Sequence, residues 1–361
     1  RARRMATDLD AIRQAAAQAG VVPFPGVHRD EGDDGADGPG RRKLPPAGPT
    51  DLDLAEKEMN DVGNADRLIA RAAGGFMNVP EIGWHRWDGR RWTPDGAVAA
   101  LRQVAHFTAR MVLVEAQAAR AAAESNSGAG NIDRGHLRDL SSALAGWAAA
   151  SGESKRITAM IKEAEPYLNV AASELDSDPM VLNLENGTLV LSGACDVLRP
   201  HDRGDLITRL CPVTYDPAAD APVFNAFMQR VQPQRSVRQF LQRWTGYCQT
   251  GRTDEQKMVF DYGGGANGKS TFNNMIGRML GGYCGALPFG SLIRDDRRSG
   301  SEASPDMAEL PGARFVQVSE PNRGQEFDPA RLKTMTGGDP LPARRLYKAP
   351  FHFQPQFKIV I

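Results

Sequence analysis

The longest helical periodicity runs from Ala97 to Ala123, where Val98, Leu101, Val104, Phe107 and Met111 recur at three- and four-residue spacing among alanines and arginines. Further helical segments follow to about Leu168. A second periodic pair precedes residue 255: "APVFNAFMQRV", then "SVRQFLQRWTGYCQTG". In the latter, Val237, Phe240, Leu241, Trp244 and Tyr247 form one stripe that reads as core, with Gly251 expected to end the helix. Two hairpins are marked by strands flanking a two-residue turn signal, Asp88-Gly89 in "GWHRWDGRRWTPDG" and Asn186-Gly187 in "VLNLENGTLVL". Trp84, Trp87 and Trp92 alternate with Arg86, Arg90 and Arg91, which fits either a small sheet that buries its tryptophans or a platform on which bases stack. The packing reading is preferred, because aromatics on strands are usually core. Short apolar runs in "QKMVFDYG", Phe315–Val318 and "FKIVI" read as buried strands, and "KSTFNNMIGRML" has helical spacing. The pattern is that of an α/β protein.

Composition narrows the function classes. The chain has 361 residues, 41% apolar and 24% charged, which is ordinary for core-forming protein. Its 44 basic and 44 acidic side chains cancel, so a nucleic-acid contact has to come from a local patch. Cys195, Cys211, Cys248 and Cys284 lie far apart without a CxxC pair, which indicates neither a zinc knuckle nor a disulfide framework. "RARRMATDLDAIRQ" meets Asp8 and Asp10 where a signal peptide needs an apolar core. The Ala-rich stretch is broken by Arg102, Arg110, Glu115 and Arg120, so no membrane span is expected. A reducing, cytoplasmic location fits. The chain starts without methionine, as a fragment of something longer or with a start at Met5. Residues 21 to 50 read as a Pro- and Gly-rich linker behind a short helix near 8 to 19, a basic functional tail being the alternative.

Chemistry concentrates at "DYGGGANGKSTFN", residues 261 to 273. It contains G-x-x-x-x-G-K-[ST], with Gly263, Gly264, Gly265, Ala266, Asn267, Gly268, Lys269, Ser270 and Thr271 between an expected strand and an expected helix. Backbone N–H groups of such a turn cradle phosphates; Lys269 adds a point charge, and the Ser270 hydroxyl can ligate Mg²⁺. Hydrolysis also needs a carboxylate at a strand end. "ARFVQVSEPNRG" delivers Glu320 at the end of the Phe315–Val318 strand, with Asp306 and Asp261 as weaker rivals. Downstream, Gly337, Gly338 and Asp339 read as a turn, and "PARRLYKAPFHF" as a short hairpin whose tip gathers Arg344, Arg345 and Lys348 for contact with DNA phosphates.

From about Gly63 to Ile361 the chain resembles the C-terminal half of phage and plasmid primase-helicases, which carry a poxvirus-type N-terminal domain and a superfamily 3 helicase of AAA+ type. "GNADRLIAR", "WDGRRW" and "LNLENGTL" carry the likeness to the first; "FLQRWTGYCQTG", "GGGANGKST", "VSEPNRG", "KTMTGGDPLPARRLY" and "FQPQFKIVI" carry that to the second. The resemblance implies a parallel-sheet ATPase core, ATP and Mg²⁺, a hexameric ring of like subunits, and single-stranded or forked DNA in its channel. Lys269 and Ser270 then match the phosphate loop, Glu320 the metal and water carboxylate, Lys333, Gly337, Gly338 and Asp339 the motif after it, and Lys348 the DNA-contacting hairpin. No primase site is recognisable.

The implied domains are a flexible segment over 1–50, a helix- and hairpin-containing domain over 51–210, a helical connector over 211–255 and the helicase core over 256–361. The family places a sensor asparagine and a reaching arginine beyond "FKIVI", and a further strand beside the phosphate-loop strand. The sequence stops before these, so the expectation is nucleotide binding with poor turnover. A non-catalytic module that binds nucleotide, DNA or an intact partner is the alternative. A GTPase or small-molecule kinase is disfavoured, because no NKxD motif occurs.

Overall fold

The computed structural model describes residues 49–125, 134–193, 195–293, 305–319, 326–346 and 350–361. The helix expected near 8 to 19 and nearly all of the linker lie outside the described residues. The chain is mixed α/β and divides into two compact units. Arg1–Val79, Gly83–Arg86 and Pro94–Val170 belong to the first; Pro80–Ile82, Trp87–Thr93 and Ala171–Ile361 belong to the second.

Helices α1 (Asp51–Ala55), α2 (Asp61–Ala72), α3 (Ala97–Ser125), α4 (Arg134–Ser151) and α5 (Ser154–Ala164) build the first unit, with β1 (Phe76–Val79) antiparallel to β2 (Gly83–Trp87). Thr50 and Asp53 close a capping box at α1, and the Asn60 side chain accepts from Gly63 N at α2, satisfying amides that the helix geometry leaves open. The buried stripe of α3 keeps Leu101 and Val104 of the expected one and departs from it elsewhere. Leu101, Val104, Ala105, Thr108, Ala109, Val112, Glu115, Ala116, Ala119 and Ala123 are buried, whereas Val98 is 65% exposed. Small alanines on this stripe let α2, α4 and α5 approach closely. α3 is long and apolar enough to cross a membrane by length and composition alone. Its middle, however, carries fully buried Glu115, which accepts from Arg67 Nε at 2.7 Å and from Arg71 at 2.6 Å. Arg67 also donates to the backbone oxygens of Glu58 and Lys57. A paired carboxylate of this kind belongs to a packed protein interior.

The second unit contains β3 (Trp92–Thr93) and an antiparallel sheet of β4 (Val181–Leu184), β5 (Gly187–Val190) and β6 (Val197–Arg199) in the order β4-β5-β6. The Asp88 turn is present: Asp88 N donates to Arg91 O, and the Asp88 carboxylate accepts from Arg90 N and Arg91 N. Trp92 is buried, lies edge-to-face on Trp87 and donates its Nε1 to Arg203 O, while Arg90 pairs with Glu185. Trp92 is thus packed in the interior, while Arg90 is exposed and ion-paired.

The second hairpin turn is displaced from its expected position. Leu184 pairs with Gly187, so Glu185 and Asn186 occupy the turn and Gly187 is already in the strand. The cause lies outside the hairpin: the Asn186 side chain exchanges hydrogen bonds with Tyr215, and Glu185 N donates to Val213 O. Gly187 is needed for a different reason. A Cβ there would stand 2.5 Å from Arg199 O on β6.

Two helices follow, α6 (Pro222–Val231) and α7 (Arg235–Gln249), close to the expected bounds. On α7, Trp244 is buried but Phe240 is 51% exposed, so the expected core stripe narrows to the part facing the sheet. The helix ends where expected, with Gly251 directly after its cap. Thr250 is the cap, and the free carbonyls are taken by two buried cations: Arg314 donates to Gln249 O, and Lys358 Nζ to Thr250 O at 2.5 Å and Arg252 O at 3.2 Å. Positive charge at a helix C-terminus is favourable.

α8 (Lys269–Leu280) precedes a parallel sheet of β7 (Cys284–Leu287), β8 (Phe315–Val318) and β11 (Lys358–Val360) in the order β11-β8-β7. On the far side of β11 the buried strand expected in "QKMVFDYG" is reduced to a single parallel bridge of Val259 with Val360, with Asp261 N donating to Ile361 O, and Phe260 and Tyr262 are exposed. β8 and β11 carry core residues on both faces, which explains their largely apolar runs. Phe315 and Val360 join Phe272, Ile276 and Leu280 of α8 in one core cluster. Val316, Val318 and Ile359 join a second, with Met307 of α9 (Pro305–Ala308), Met335 of α10 (Pro329–Gly337), and the hairpin of β9 (Leu341–Ala343) and β10 (Phe351–Phe353). The expected glycine turn is in fact the end of α10. Gly337 is its last residue and Gly338, with φ 80°, its left-handed cap.

Candidate functional site

The parallel strands end at one level. Ser319 N donates to Leu287 O at the end of β8, and Asp261 N to Ile361 O beside it. The glycine loop, residues 263–268, leaves from this carboxyl edge and enters α8. Gly265, Ala266 and Gly268 have φ of 90°, 45° and 88°. Left-handed residues in close succession curl the backbone so that amides gather on a concave side. Gly268 is the N-cap of α8 and has no side chain to offer, so the first amides of the helix stay open toward the loop. Ser270 and Thr271 in that first turn are exposed.

Two glycines are enforced by contact. At Gly263 a Cβ would fall 1.9 Å from Asn267 Nδ2; at Gly268 it would fall 2.8 Å from Val231 Cγ1 and 3.3 Å from Phe227 Cζ, at the end of α6. Gly264 and Gly265 face open space. Lys269 folds back over the loop, and its Nζ donates to Gly263 O at 3.1 Å and to Asn267 Oδ1 at 3.1 Å. Both acceptors are neutral. An ammonium held by neutral oxygens beside open helix amides concentrates positive charge at the loop.

The remaining expected residues are placed as follows. Glu320 and Lys348 lie outside the described residues; the described chain reaches Ser319, whose hydroxyl accepts from Phe289 N. Asp306 accepts from Ser291 Oγ. Asp261 accepts from Asn273 Nδ2 at 2.6 Å. Lys333 is exposed on α10, and Asp339 is exposed just beyond it. Arg345 pairs with Glu309 at 3.3 Å, while Arg344 is exposed on the same hairpin. Among the described residues no group of three His, Cys, Asp or Glu side chains is arranged to hold a metal.

Asn273 and Gln317, which tie the loop's surroundings together, were not singled out from the sequence. A polar residue in the middle of the buried run "FVQV" is the signal that points to Gln317. Nor was the approach of Phe227 and Val231 to the loop legible, because it depends on how α6 packs.

Residues 65–233 match the family described as D5 N terminal like. The match ends before the glycine loop. Among relatives, the chain is 32% identical over 190 residues to "Putative helicase L207/L206" of Acanthamoeba polyphaga mimivirus, covering 51% of this chain and 19% of that protein. It is 33% identical over 139 residues to "Putative helicase 022R" of Frog virus 3, covering 37% of this chain and 14% of that protein. With "Putative primase C962R" of African swine fever virus the identity is 24% over 185 residues, covering 50% and 19%. The chain thus spans less than a fifth of the length of these three relatives, all from large DNA viruses.

Proposed function

We propose that this chain is the ATP-binding, DNA-translocating part of a replication protein, with an AAA+-type core of superfamily 3 following its D5 N-terminal-like domain. The observation that carries the reading is the glycine loop between the segment bridged to β11 at Val259 and the open N-terminus of α8, with Lys269 held over it by neutral oxygens. The names of the relatives, helicase and primase, support the replication context.

The loop fits a nucleotide triphosphate with Mg²⁺. Its backbone comes close enough to a bound group only because Gly263 and Gly268 lack side chains that Asn267 and Val231 would obstruct. The amides of Gly264 to Ser270 would hold the β- and γ-phosphates, and the Lys269 ammonium would exchange its two neutral acceptors for phosphate oxygens. Ser270 offers its exposed hydroxyl to Mg²⁺, with Glu320 as the second ligand and the group that orients water. When bound, Mg²⁺ neutralises charge on the phosphates. DNA contacts fall to Arg344, Arg345 and Lys348. Arg345 would have to leave Glu309, an exposed partner whose loss costs about 1 kcal/mol or less. Six copies in a ring would place these hairpins around one strand.

The experiment is ATP turnover by the full chain with and without single-stranded DNA. Stimulated turnover that disappears in Lys269→Ala supports the reading. DNA binding and ATP turnover both unaffected by Lys269→Ala contradict it.

A further inference from the structure

We infer that Asp261 is a positioning residue for the glycine loop, acting through Asn273, and not a metal-binding or water-activating carboxylate. The inference rests on the nucleotide-binding reading of the loop.

Asp261 stands two residues before the loop's first glycine, and its backbone is fixed to the sheet by the bond to Ile361 O at 2.9 Å. Its carboxylate accepts from Asn273 Nδ2 at 2.6 Å. Asn273 lies four residues after Lys269, one helical turn further along α8, so the bond joins the entry of the loop to its exit. Asn273 is held from the other side as well. Its backbone oxygen accepts from Gln317 Nε2 at 3.0 Å, and Gln317 is paired on β8 to both neighbouring strands. A chain of polar contacts therefore runs from the loop strand through α8 to the central strand.

The middle of the glycine loop borders open space, since a Cβ added at Gly264 or Gly265 would meet nothing within 4 Å. The first turn of α8 is thus located by Phe272 packing below and by this bridge. Without the bridge, the turn that carries Lys269 and Ser270 can rotate against the strand, and a displacement of about 1 Å is enough to weaken a site built on fixed dipoles.

The test uses the full chain and a fluorescent ATP analogue with Mg²⁺, with the thermal midpoint of every variant measured alongside. Asp261→Ala and Asn273→Ala should each weaken binding about tenfold at temperatures where they remain folded. The double variant should be no worse than either single change, because both remove one bond. Asp261→Asn keeps an acceptor without the charge and should stay within about threefold of wild type. A loss in Asp261→Asn as large as in Asp261→Ala would assign the carboxylate a charge role and overturn the proposal, as would additive single changes. A lowered midpoint with unchanged affinity would reduce the bridge to a structural contact and overturn it too. Lys269→Ala separates the two levels. If it abolishes binding while Asp261→Ala does not weaken it, the nucleotide reading stands and positioning falls; if it leaves binding unchanged, the nucleotide reading fails and takes the proposal with it.

Discussion

Glu115→Ala removes the centre of a buried ionic network in the first unit. Glu115 and Arg67 are both 0% exposed, and Glu115 is the carboxylate that both Arg67 and Arg71 address. After the substitution Arg67 keeps two backbone oxygens but has no counter-charge inside the protein. Stranding one member of a buried pair costs about 3–5 kcal/mol. A typical domain is stable by about 5–15 kcal/mol, so the loss is a large share of the total. Urea denaturation followed by far-ultraviolet circular dichroism reports it well, because the helices α2 to α5 dominate this unit. Arg67→Met with Glu115→Ala should recover much of the loss, since an apolar replacement removes the stranded charge. A loss below about 1 kcal/mol in Glu115→Ala, or no recovery in the double variant, would refute the network as the stabilising contact.

Two other outcomes follow from the same kind of accounting. Burial pushes the Lys358 ammonium down to about 7, with the Cys248 thiol and Asp254 pulling it up and Arg314 pushing it further down. The unfolded chain holds that proton up to about pH 10.4, so between these values it binds more protons than the folded one, and stability should rise with pH from about 7 to 10. Lys358→Met should flatten that rise when unfolding free energies are compared across the interval; parallel slopes would contradict the shift. Gly187→Ala brings a methyl against Arg199 O and should destabilise the β4-β5-β6 sheet by about 1–3 kcal/mol in a denaturant titration; wild-type stability would show that β6 yields instead.

Much of the second unit was legible because local pattern and tertiary role agree there. Phe315–Val318 is buried on both faces, and "KSTFNNMIGRML" keeps Phe272, Ile276 and Leu280 on one side, so both elements fall within their expected bounds. What was missed depends on distant partners. The displaced turn before Gly187 answers to Tyr215 and Arg199, and the carbonyls at the end of α7 answer to cations contributed by Arg314 and Lys358. The Arg67–Glu115 pair joins residues 48 apart and has no local signature. In the candidate site the loop was readable from residue types alone, because the spacing of its glycines before Lys269 and Ser270 is a local signal. The bridge through Asn273 and Gln317 was not, because asparagine and glutamine carry no spacing rule that announces a partner.

The central claim is that Lys269 and the glycine loop hold a nucleotide, and equilibrium binding of ATP with Mg²⁺ by the 361-residue chain tests it most directly. Removing one charge-assisted contact to phosphate is worth about 1.5–3 kcal/mol, so Lys269→Ala should weaken binding at least about tenfold at an unchanged thermal midpoint. Equal affinity in wild type and Lys269→Ala would contradict the account.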